Sequence, residues 1–426
     1  MPDPKSSTRN PWAWIPSLYL AEGLPYALAM VVSAIMYKNL GVSNAEIAFY
    51  TSWLNLPWVI KPLWSPVVDL LKTRRSWIWV MQLVVGAGLA GVALTIPVEA
   101  FFQWTLVFFF LIAFSSATHD IAADGFYMLA LTENRQAFFV GIRNTFYRVA
   151  NITGQGLLVV FAGMVQRHTG DTVFAWSMAF AAMALLLVCF GVYHLLILPR
   201  PVMDQPGVTK STAQFLREFG DTFAAFFRKP GIVPILLFLL LYRFAEAQLS
   251  KVAQLFLLES RDAGGLGLST EQVGFLYGVV GVIALLSGGV LGGVAASRQG
   301  LRFWLWPMAL AINAPNLAYV YLAWARPESL TVIGSCVVVE LFGYGFGFSA
   351  YMLYMLYVAR GRHQTAHYAL CTGFMALGMM LPGMWSGALQ EKIGYGQFFL
   401  WVMAATIPSF VVVKLIPLEA GFGKKG

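Results

Sequence analysis

The chain of 426 residues is 58% hydrophobic and only 11% charged, a composition that excludes an ordinary soluble surface. Its net charge of +8 is explained by basic residues in the loops between apolar runs and does not indicate nucleic-acid binding. Apolar runs of roughly 20 residues, the length that crosses a bilayer, recur along most of the sequence. The composition therefore predicts an all-α, polytopic membrane protein.

Polar residues, glycines and prolines divide the apolar runs into about twelve predicted spans. They cover residues 12–37, 44–67, 77–98, 103–131, 137–166, 172–198, 231–258, 270–296, 302–325, 330–359, 364–389 and 395–416. Only the segment 199–230 is both long and polar, which indicates a linker between two sets of six spans. We predict an N-terminal bundle over 1–198, a cytoplasmic linker over 199–230 and a C-terminal bundle over 231–426.

Basic residues between the spans are unevenly divided between the two sides of the membrane. Eighteen fall on the side of both termini and the linker, and five fall on the other side. Because loops rich in Lys and Arg stay in the cytoplasm, this bias predicts cytoplasmic termini and a cytoplasmic linker.

The two predicted halves also resemble each other in sequence. Three short segments recur in the same order at a nearly constant offset: 21–22 with 245–246, 41–49 with 267–275, and 127–129 with 351–353. Carriers built from two related bundles show such internal repeats. The repeats therefore favour a pseudo-symmetric pair of six-helix bundles.

Away from the ends of the predicted spans, ten charged residues remain inside them. They are the bases Lys61, Arg143, Arg148, Arg243 and Lys251 and the acids Glu22, Asp120, Asp124, Glu246 and Glu340. A charge at the bilayer centre is unfavourable by at least about 2.5 kcal/mol, so these groups are expected to pair or to face a wet cavity between the halves.

Asp120 and Asp124 are the most specific feature of this set. A spacing of four residues places both carboxylates on one face of the fourth predicted helix, one turn apart. Mutual repulsion in a poorly hydrated cavity favours retention of a proton by one of them, which is the chemistry that a proton-coupled carrier needs. The alternative is that one aspartate forms a structural salt bridge and the other faces cytoplasmic water.

Further candidates for solute contact or cavity lining are Glu22, Tyr26, Lys61, Arg143, Asn144, Arg148, Arg243, Glu246, Glu340 and Tyr344. Arginine binds carboxylate or phosphate groups in a bidentate manner, so Arg143 or Arg148 suits an anionic solute. The equal number of acids and bases leaves open the alternative that these arginines pair with acids.

Two patterns in these candidates have more than one interpretation. Arg243 and Glu246, three residues apart, form either an internal ion pair or part of a solute site. Aromatic residues at helical spacing beside Glu22 and Glu340 indicate either helix packing or recognition of sugar-like and other flat groups.

The sequence predicts neither a metal site nor an enzyme. None of the five histidines forms a pair at metal-ligand spacing on one helix face, and His119 projects about 100° away from the aspartate face, which favours a structural hydrogen bond. No nucleophile lies at a recognisable spacing from a base, and no phosphate-binding loop occurs. We expect no cofactor, and a proton gradient as the source of energy.

The segment 65–75 resembles the signature loop between the second and third helices of the major facilitator superfamily. Asp69 and the basic residues Arg74 and Arg75 match that signature, whereas Ser65 and Lys72 replace its two glycines. The resemblance implies that Asp69 with Arg74 or Arg75 stabilises the closed cytoplasmic side of the carrier.

Three further segments, 22–25, 61–66 and 118–125, resemble the family of the AmpG muropeptide permeases and the acetyl-CoA transporters. The resemblance implies proton-coupled import of an amphipathic anionic solute such as a muropeptide, with Asp120 and Asp124 in the protonation role. His119 replaces the Gln that is usual in the permeases, and Asp124-Gly125 is closer to the acetyl-CoA branch. The alternatives are an exporter or exchanger of acyl-CoA-like or sugar solutes. We expect a monomer in the bacterial inner membrane.

Overall fold

Every regular element in the described part of the chain is helical. The computed structural model describes residues 9–131, 133–205, 212–360, 364–419 and 422–423. The helices in chain order are α1 (Ile15–Ala27), α2 (Ser33–Asn39), α3 (Asn44–Trp53), α4 (Leu56–Leu71), α5 (Arg74–Thr95), α6 (Phe101–Ala130), α7 (Glu133–Asn151), α8 (Val159–Thr169), α9 (Thr172–Ile197), α10 (Thr212–Phe227), α11 (Ile232–Leu241), α12 (Phe244–Leu258), α13 (Thr270–Phe275), α14 (Val282–Gln299), α15 (Leu301–Asn313), α16 (Leu317–Ala325), α17 (Leu330–Ala359), α18 (Gln364–Ala404) and α19 (Ile407–Leu415). The predicted all-α fold is confirmed.

The helices account for all twelve predicted spans. Nine stretches in the described ranges are long and apolar enough to cross a bilayer. One of them, Ala366–Leu415, is 50 residues long and holds the eleventh and twelfth spans, which meet at Gly394 with φ 77°. The second predicted span corresponds to α3 and α4, which are separated by a short turn. The ninth corresponds to α15 and α16, which are separated by one turn of 3-10 helix at Ala314–Asn316.

Contacts group the chain into two compact units. The first contains Met1–Leu40 and Ile60–Lys210, and the second contains Gly41–Val59 and Ser211–Gly426. The division between the units falls inside α4, whereas α3 belongs to the second unit. The predicted linker, residues 199–230, includes α10, whose Phe226 is fully buried in the core of the second unit.

Small residues bring the helices of the first unit close together. α5 packs against α6 and α9, and α1 packs against α7. A Cβ atom at Gly23 in α1 would lie 2.7 Å from the Cβ atom of Ala150 in α7, and one at Gly86 in α5 would lie 2.7 Å from Val188 in α9. Such close approach is typical of membrane helices, in which packing and interhelical hydrogen bonds replace the hydrophobic effect.

In the second unit, α17 packs against α14 and α15, while α18 packs against α3 and α12. The contact of α14 with α17 depends on glycine, because a Cβ atom at Gly288 would overlap the carbonyl oxygen of Phe342. α18 contains Pro382, and α15 contains Pro307, so both helices include a residue that disturbs helical hydrogen bonding.

Local capping fixes several helix starts. Thr73 accepts a hydrogen bond from Ser76 N at the start of α5, and Asp171 accepts one from Phe174 N at the start of α9. Ser269 and Gln272 form a reciprocal capping box at the start of α13. These residues satisfy amide groups that the helices themselves leave unpaired.

Candidate functional site

The first unit brings acids and bases from four helices into one cluster. α1 contributes Glu22, α4 contributes Lys61, α6 contributes Asp120 and Asp124, and α7 contributes Arg143. We call these five residues the charge cluster. Lys61 Nζ lies 3.5 Å from Asp120 Oδ2, and the side chain of Asp120 is only 16% exposed.

Arg143 and Asp124 form the second ion pair of the charge cluster. Arg143 donates a hydrogen bond of 2.6 Å from Nη2 to Asp124 Oδ1. The guanidinium carbon of Arg143 also lies 4.5 Å from the ring centroid of Tyr19 and 5.3 Å from that of Tyr127. Stacking on two aromatic rings holds the guanidinium in place, a role that lysine cannot fill equally well.

Glu22 is the most deeply buried acid of the charge cluster. It is 6% exposed, and its Oε2 atom has no hydrogen-bond partner among the described residues. One ligand atom each from Glu22, His119 and Asp120 lies within 4.8 Å of the other two. Asp120 is already paired with Lys61 and His119 with Gln82, so two members of this trio have partners other than an ion.

A buried chain of hydrogen bonds leads away from the charge cluster. Gln82 Nε2 donates to His119 Nε2 over 2.9 Å, and His194 Nδ1 donates to Gln82 Oε1 over 2.8 Å. Ser17 Oγ lies 2.9 Å from His194 Nε2. The chain links α1, α5, α6 and α9 inside an apolar bundle, where each polar group needs a partner. The interpretation of His119 as a structural hydrogen-bonding residue agrees with this arrangement, although its ring also borders the acids.

The second unit contains a polar cluster formed by residues of α17, residues of α12 and Arg243, which directly precedes α12. Arg243 Nη2 donates to the Tyr344 hydroxyl over 2.5 Å, and its guanidinium carbon lies 4.8 Å from the ring centroid of Phe348. Glu246 and Glu340 are 5% and 3% exposed, and Glu246 Oε2 has no hydrogen-bond partner among the described residues. The predicted candidates Arg243 and Tyr344 are therefore in direct contact.

A separate polar network within the second unit holds α3 against α18. Asn44 Nδ2 donates to Gln390 Oε1 over 2.6 Å and to the Tyr395 hydroxyl over 2.8 Å. Lys251 on α12 donates from Nζ to Thr51 Oγ1 over 2.9 Å. The predicted spans gave no reason to single out Asn44 or Gln390, because these two hydrogen-bond partners lie 346 residues apart in the chain.

The basic residues of the signature-like loop bind nearby backbone and linker groups. Asp204 accepts hydrogen bonds from the backbone amides of Arg74 and Arg75, over 2.8 and 3.0 Å, and so caps the start of α5. Arg75 donates to the carbonyl oxygens of Leu195 and Leu198 near the end of α9. Asp204 was not among the predicted site residues, although it is the first acidic residue after the sixth span.

Other predicted residues are placed as follows. A Cβ atom at Gly125 would come within 2.6 Å of the guanidinium of Arg74, so Arg74 lies against α6. Arg148 is exposed and makes none of the described contacts to the charge cluster, and Tyr26 is half-buried. The side chains of Asp69 and Asn144 lie outside the part of the structure that is described. The roles assigned to these residues remain predictions.

A polytopic helical protein with ion pairs between its membrane helices has the construction of a membrane carrier. The chain matches the Major Facilitator Superfamily over residues 17–383, and it belongs to that family of secondary transporters. It is 26% identical to the anhydromuropeptide permease of Escherichia coli strain K12 over 408 residues, which cover 93% of this chain and 77% of the relative. The predicted resemblance to the permeases is thereby confirmed.

Solved structures share the fold. A variant of the nucleoside transporter NupG superposes with a TM-score of 0.72 and 15% identity, covering 96% of this chain and 100% of NupG. A D-xylose-proton symporter superposes with a TM-score of 0.70 and 11% identity, covering 97% of this chain and 98% of the symporter. The protein is therefore a multi-pass membrane transporter with the major facilitator fold.

Proposed function

We propose that the protein imports an amphipathic anionic solute of the muropeptide class together with protons, by alternating access. The observation that carries this proposal is the charge cluster, in which three acids and two bases lie within the helices of one unit. Charges are retained inside membrane helices mainly where they pair or handle a charged solute or ion. Similarity over nearly the whole chain to an anhydromuropeptide permease supports the choice of solute.

The bases of the charge cluster supply the anion-binding chemistry. Arg143 presents a guanidinium fixed between Asp124 and two tyrosine rings, and Lys61 presents an ammonium next to Asp120. When a carboxylate of the solute replaces either aspartate as the partner of these cations, the displaced aspartate is left without its cation, which favours its protonated form. Coupling to protons then depends on Asp120 and Asp124, which lose their cations when the solute binds.

Within the second unit, the polar cluster has chemistry that suits sugar-like groups. Tyr344 and Phe348 offer aromatic surfaces next to Arg243, and sugar rings bind well to aromatic faces with nearby hydrogen-bonding groups. We assign to this cluster the recognition of amino-sugar groups. By the relationship to bacterial permeases, we place the protein in the inner membrane of a bacterium. We propose that it acts as a monomer, and the uneven distribution of basic residues favours cytoplasmic termini.

Counterflow in liposomes tests the solute class without any need for a proton gradient. Purified protein is reconstituted with unlabelled anhydro-muropeptide inside, and entry of the labelled compound is followed. The proposal predicts rapid exchange that an excess of anhydro-muropeptide abolishes and an excess of neutral N-acetylglucosamine leaves largely intact. Absence of exchange, together with exchange of acetyl-CoA or a simple sugar in the same vesicles, would contradict the proposed solute.

A further inference from the structure

Glu22 occupies a position that water reaches poorly. It lies on α1 next to Gly23, where a Cβ atom would contact Ala150 and the carbonyl oxygen of Tyr147 on α7. The close contact of α1 with α7 leaves Glu22 only 6% exposed, whereas Asp124 is half-buried. A carboxylate at this position has little water to stabilise its charge.

Three other helices, α4, α6 and α7, contribute titratable or charged groups that act on Glu22. The charges are Lys61 on α4, Asp120 and Asp124 on α6, and Arg143 on α7. The other titratable groups that face it are His119 on α6, Tyr19 on α1 and Tyr147 on α7. Of these, only Lys61 and Arg143 are permanently positive partners, because the buried His119 accepts a hydrogen bond at Nε2 and is neutral in that form.

The acids of the charge cluster outnumber its bases by one. Lys61 is paired with Asp120 and Arg143 with Asp124, and Glu22 has no corresponding ion pair among the described residues. A third negative charge in this poorly hydrated place would be uncompensated. A carboxyl group that has neither a cation nor a hydrogen-bond donor for its buried oxygen is most stable when it retains its proton.

We propose that Glu22 holds the coupling proton as a neutral carboxylic acid while Asp120 and Asp124 remain ionised partners of Lys61 and Arg143. This inference rests on the proposed proton-coupled function and reverses the expectation that one of the aspartates binds the proton. Glu22 is thus the proton-binding residue of the charge cluster, whereas the sequence predicted for it only cavity lining or solute contact.

The excess of one acid over the bases in the charge cluster also explains how binding of the solute is coupled to binding of the proton. An anionic solute that binds Lys61 or Arg143 adds a negative charge to the charge cluster and thereby strengthens the hold of Glu22 on its proton. By linkage, a proton on Glu22 strengthens solute binding to the same extent. Loss of the proton leaves an unpaired negative charge next to the solute, which favours release of the anion.

Infrared spectroscopy of the purified protein tests the location of the proton without any solute. The stretching band of a protonated carboxyl group, identified by its shift in heavy water, is recorded in protein labelled with carbon-13 in the carboxyl groups of either glutamate or aspartate. We expect the glutamate label, and not the aspartate label, to shift the wild-type band. Glu22→Gln removes the part of this band that comes from Glu22. In Glu22→Asp, the same part of the band should shift with the aspartate label and no longer with the glutamate label.

Two variants extend the test to the charge count. Asp124→Asn leaves two acids facing two bases, so Glu22 loses its proton and the same part of the band disappears. Asp221→Asn, at an exposed position on α10, leaves the band unchanged. The inference is overturned if the aspartate label shifts the wild-type band, or if Glu22→Gln and Glu22→Asp both leave the glutamate band intact.

Failure of this inference can be distinguished from failure of the proposed function. If muropeptide enters liposomes without proton movement while the Glu22 band is present, the proposed coupling fails and the protonated state of Glu22 stands. If muropeptide entry carries protons and the band belongs to aspartate, proton coupling stands and the assignment to Glu22 is wrong.

Discussion

Arg143 donates a 2.6 Å hydrogen bond to Asp124 across the contact between α7 and α6. The pair is partly open to solvent, with side-chain exposures of 24% and 43%. A charge-assisted hydrogen bond contributes about 1.5–3 kcal/mol to the free energy of unfolding. Because this pair is partly exposed, we expect a contribution at the lower end of that range. The pair also fixes the cation that we propose binds the solute.

A double-mutant cycle measures this pair directly. Arg143→Gln and Asp124→Asn, singly and together, are expected to show a coupling energy of about 1.5 kcal/mol in thermal unfolding of the purified protein. Arg148→Gln on the same helix is the control, because Arg148 is exposed and makes none of the described contacts to Asp124. Its combination with Asp124→Asn should be additive within about 0.5 kcal/mol. Additivity of the Arg143 cycle would contradict the assigned pairing.

The buried chain through Gln82 is expected to stabilise the first unit. Gln82→Leu removes the described partner of His119 Nε2 and of His194 Nδ1, and each unsatisfied buried group costs about 1–3 kcal/mol. We predict a clear fall in the unfolding temperature. Gln103→Leu, at an exposed position on α6, serves as the matched control and should leave the unfolding temperature nearly unchanged. Equal effects of the two substitutions would show that the chain has no structural role.

Asp204 is predicted to hold the start of α5 in place. Asp204→Ala removes the acceptor of the backbone amides of Arg74 and Arg75 and should destabilise the protein by about 1 kcal/mol. Asp204→Asn keeps an acceptor oxygen and should lose less. Differential scanning fluorimetry on these variants and on Asp221→Ala, an exposed acid on α10, separates loss of the cap from loss of a negative charge.

Two glycines on α14 provide an internal comparison of helix packing. Gly288→Ala places a Cβ atom against the carbonyl oxygen of Phe342 on α17, and overpacking of this kind costs about 1–3 kcal/mol. Gly293→Ala meets no atom within 4 Å and should be neutral or stabilising by up to about 1 kcal/mol. The two substitutions should therefore change the unfolding temperature in opposite directions or by clearly different amounts. Equal unfolding temperatures would contradict the contact of α14 with α17.

The sequence was sufficient to place the helices and the acids of the site. Apolar run length predicted the spans, and the spacing of four residues placed Asp120 and Asp124 on one face of α6. It could not predict which base each aspartate meets, because Lys61 and Arg143 reach them from α4 and α7 through tertiary packing.

The polar residues that support the site were harder to find. Gln82 and His194 are single polar residues in otherwise apolar helices, and nothing in their local sequence indicates that they face each other. The same holds for Asn44 and Gln390, which come together only because α3 packs against α18. In both cases, a search for polar residues at membrane depth would have found these residues. It would not have shown which of them form hydrogen bonds with each other.

Proton movement during solute entry tests the central claim most directly. Liposomes that contain the protein and a pH-sensitive dye receive anhydro-muropeptide outside, and the wild type is compared with Asp120→Asn and Asp124→Asn. The account predicts acidification of the lumen that depends on the muropeptide and disappears in both variants, because each variant leaves two acids for two bases. Entry of labelled muropeptide into wild-type liposomes without any acidification would contradict it.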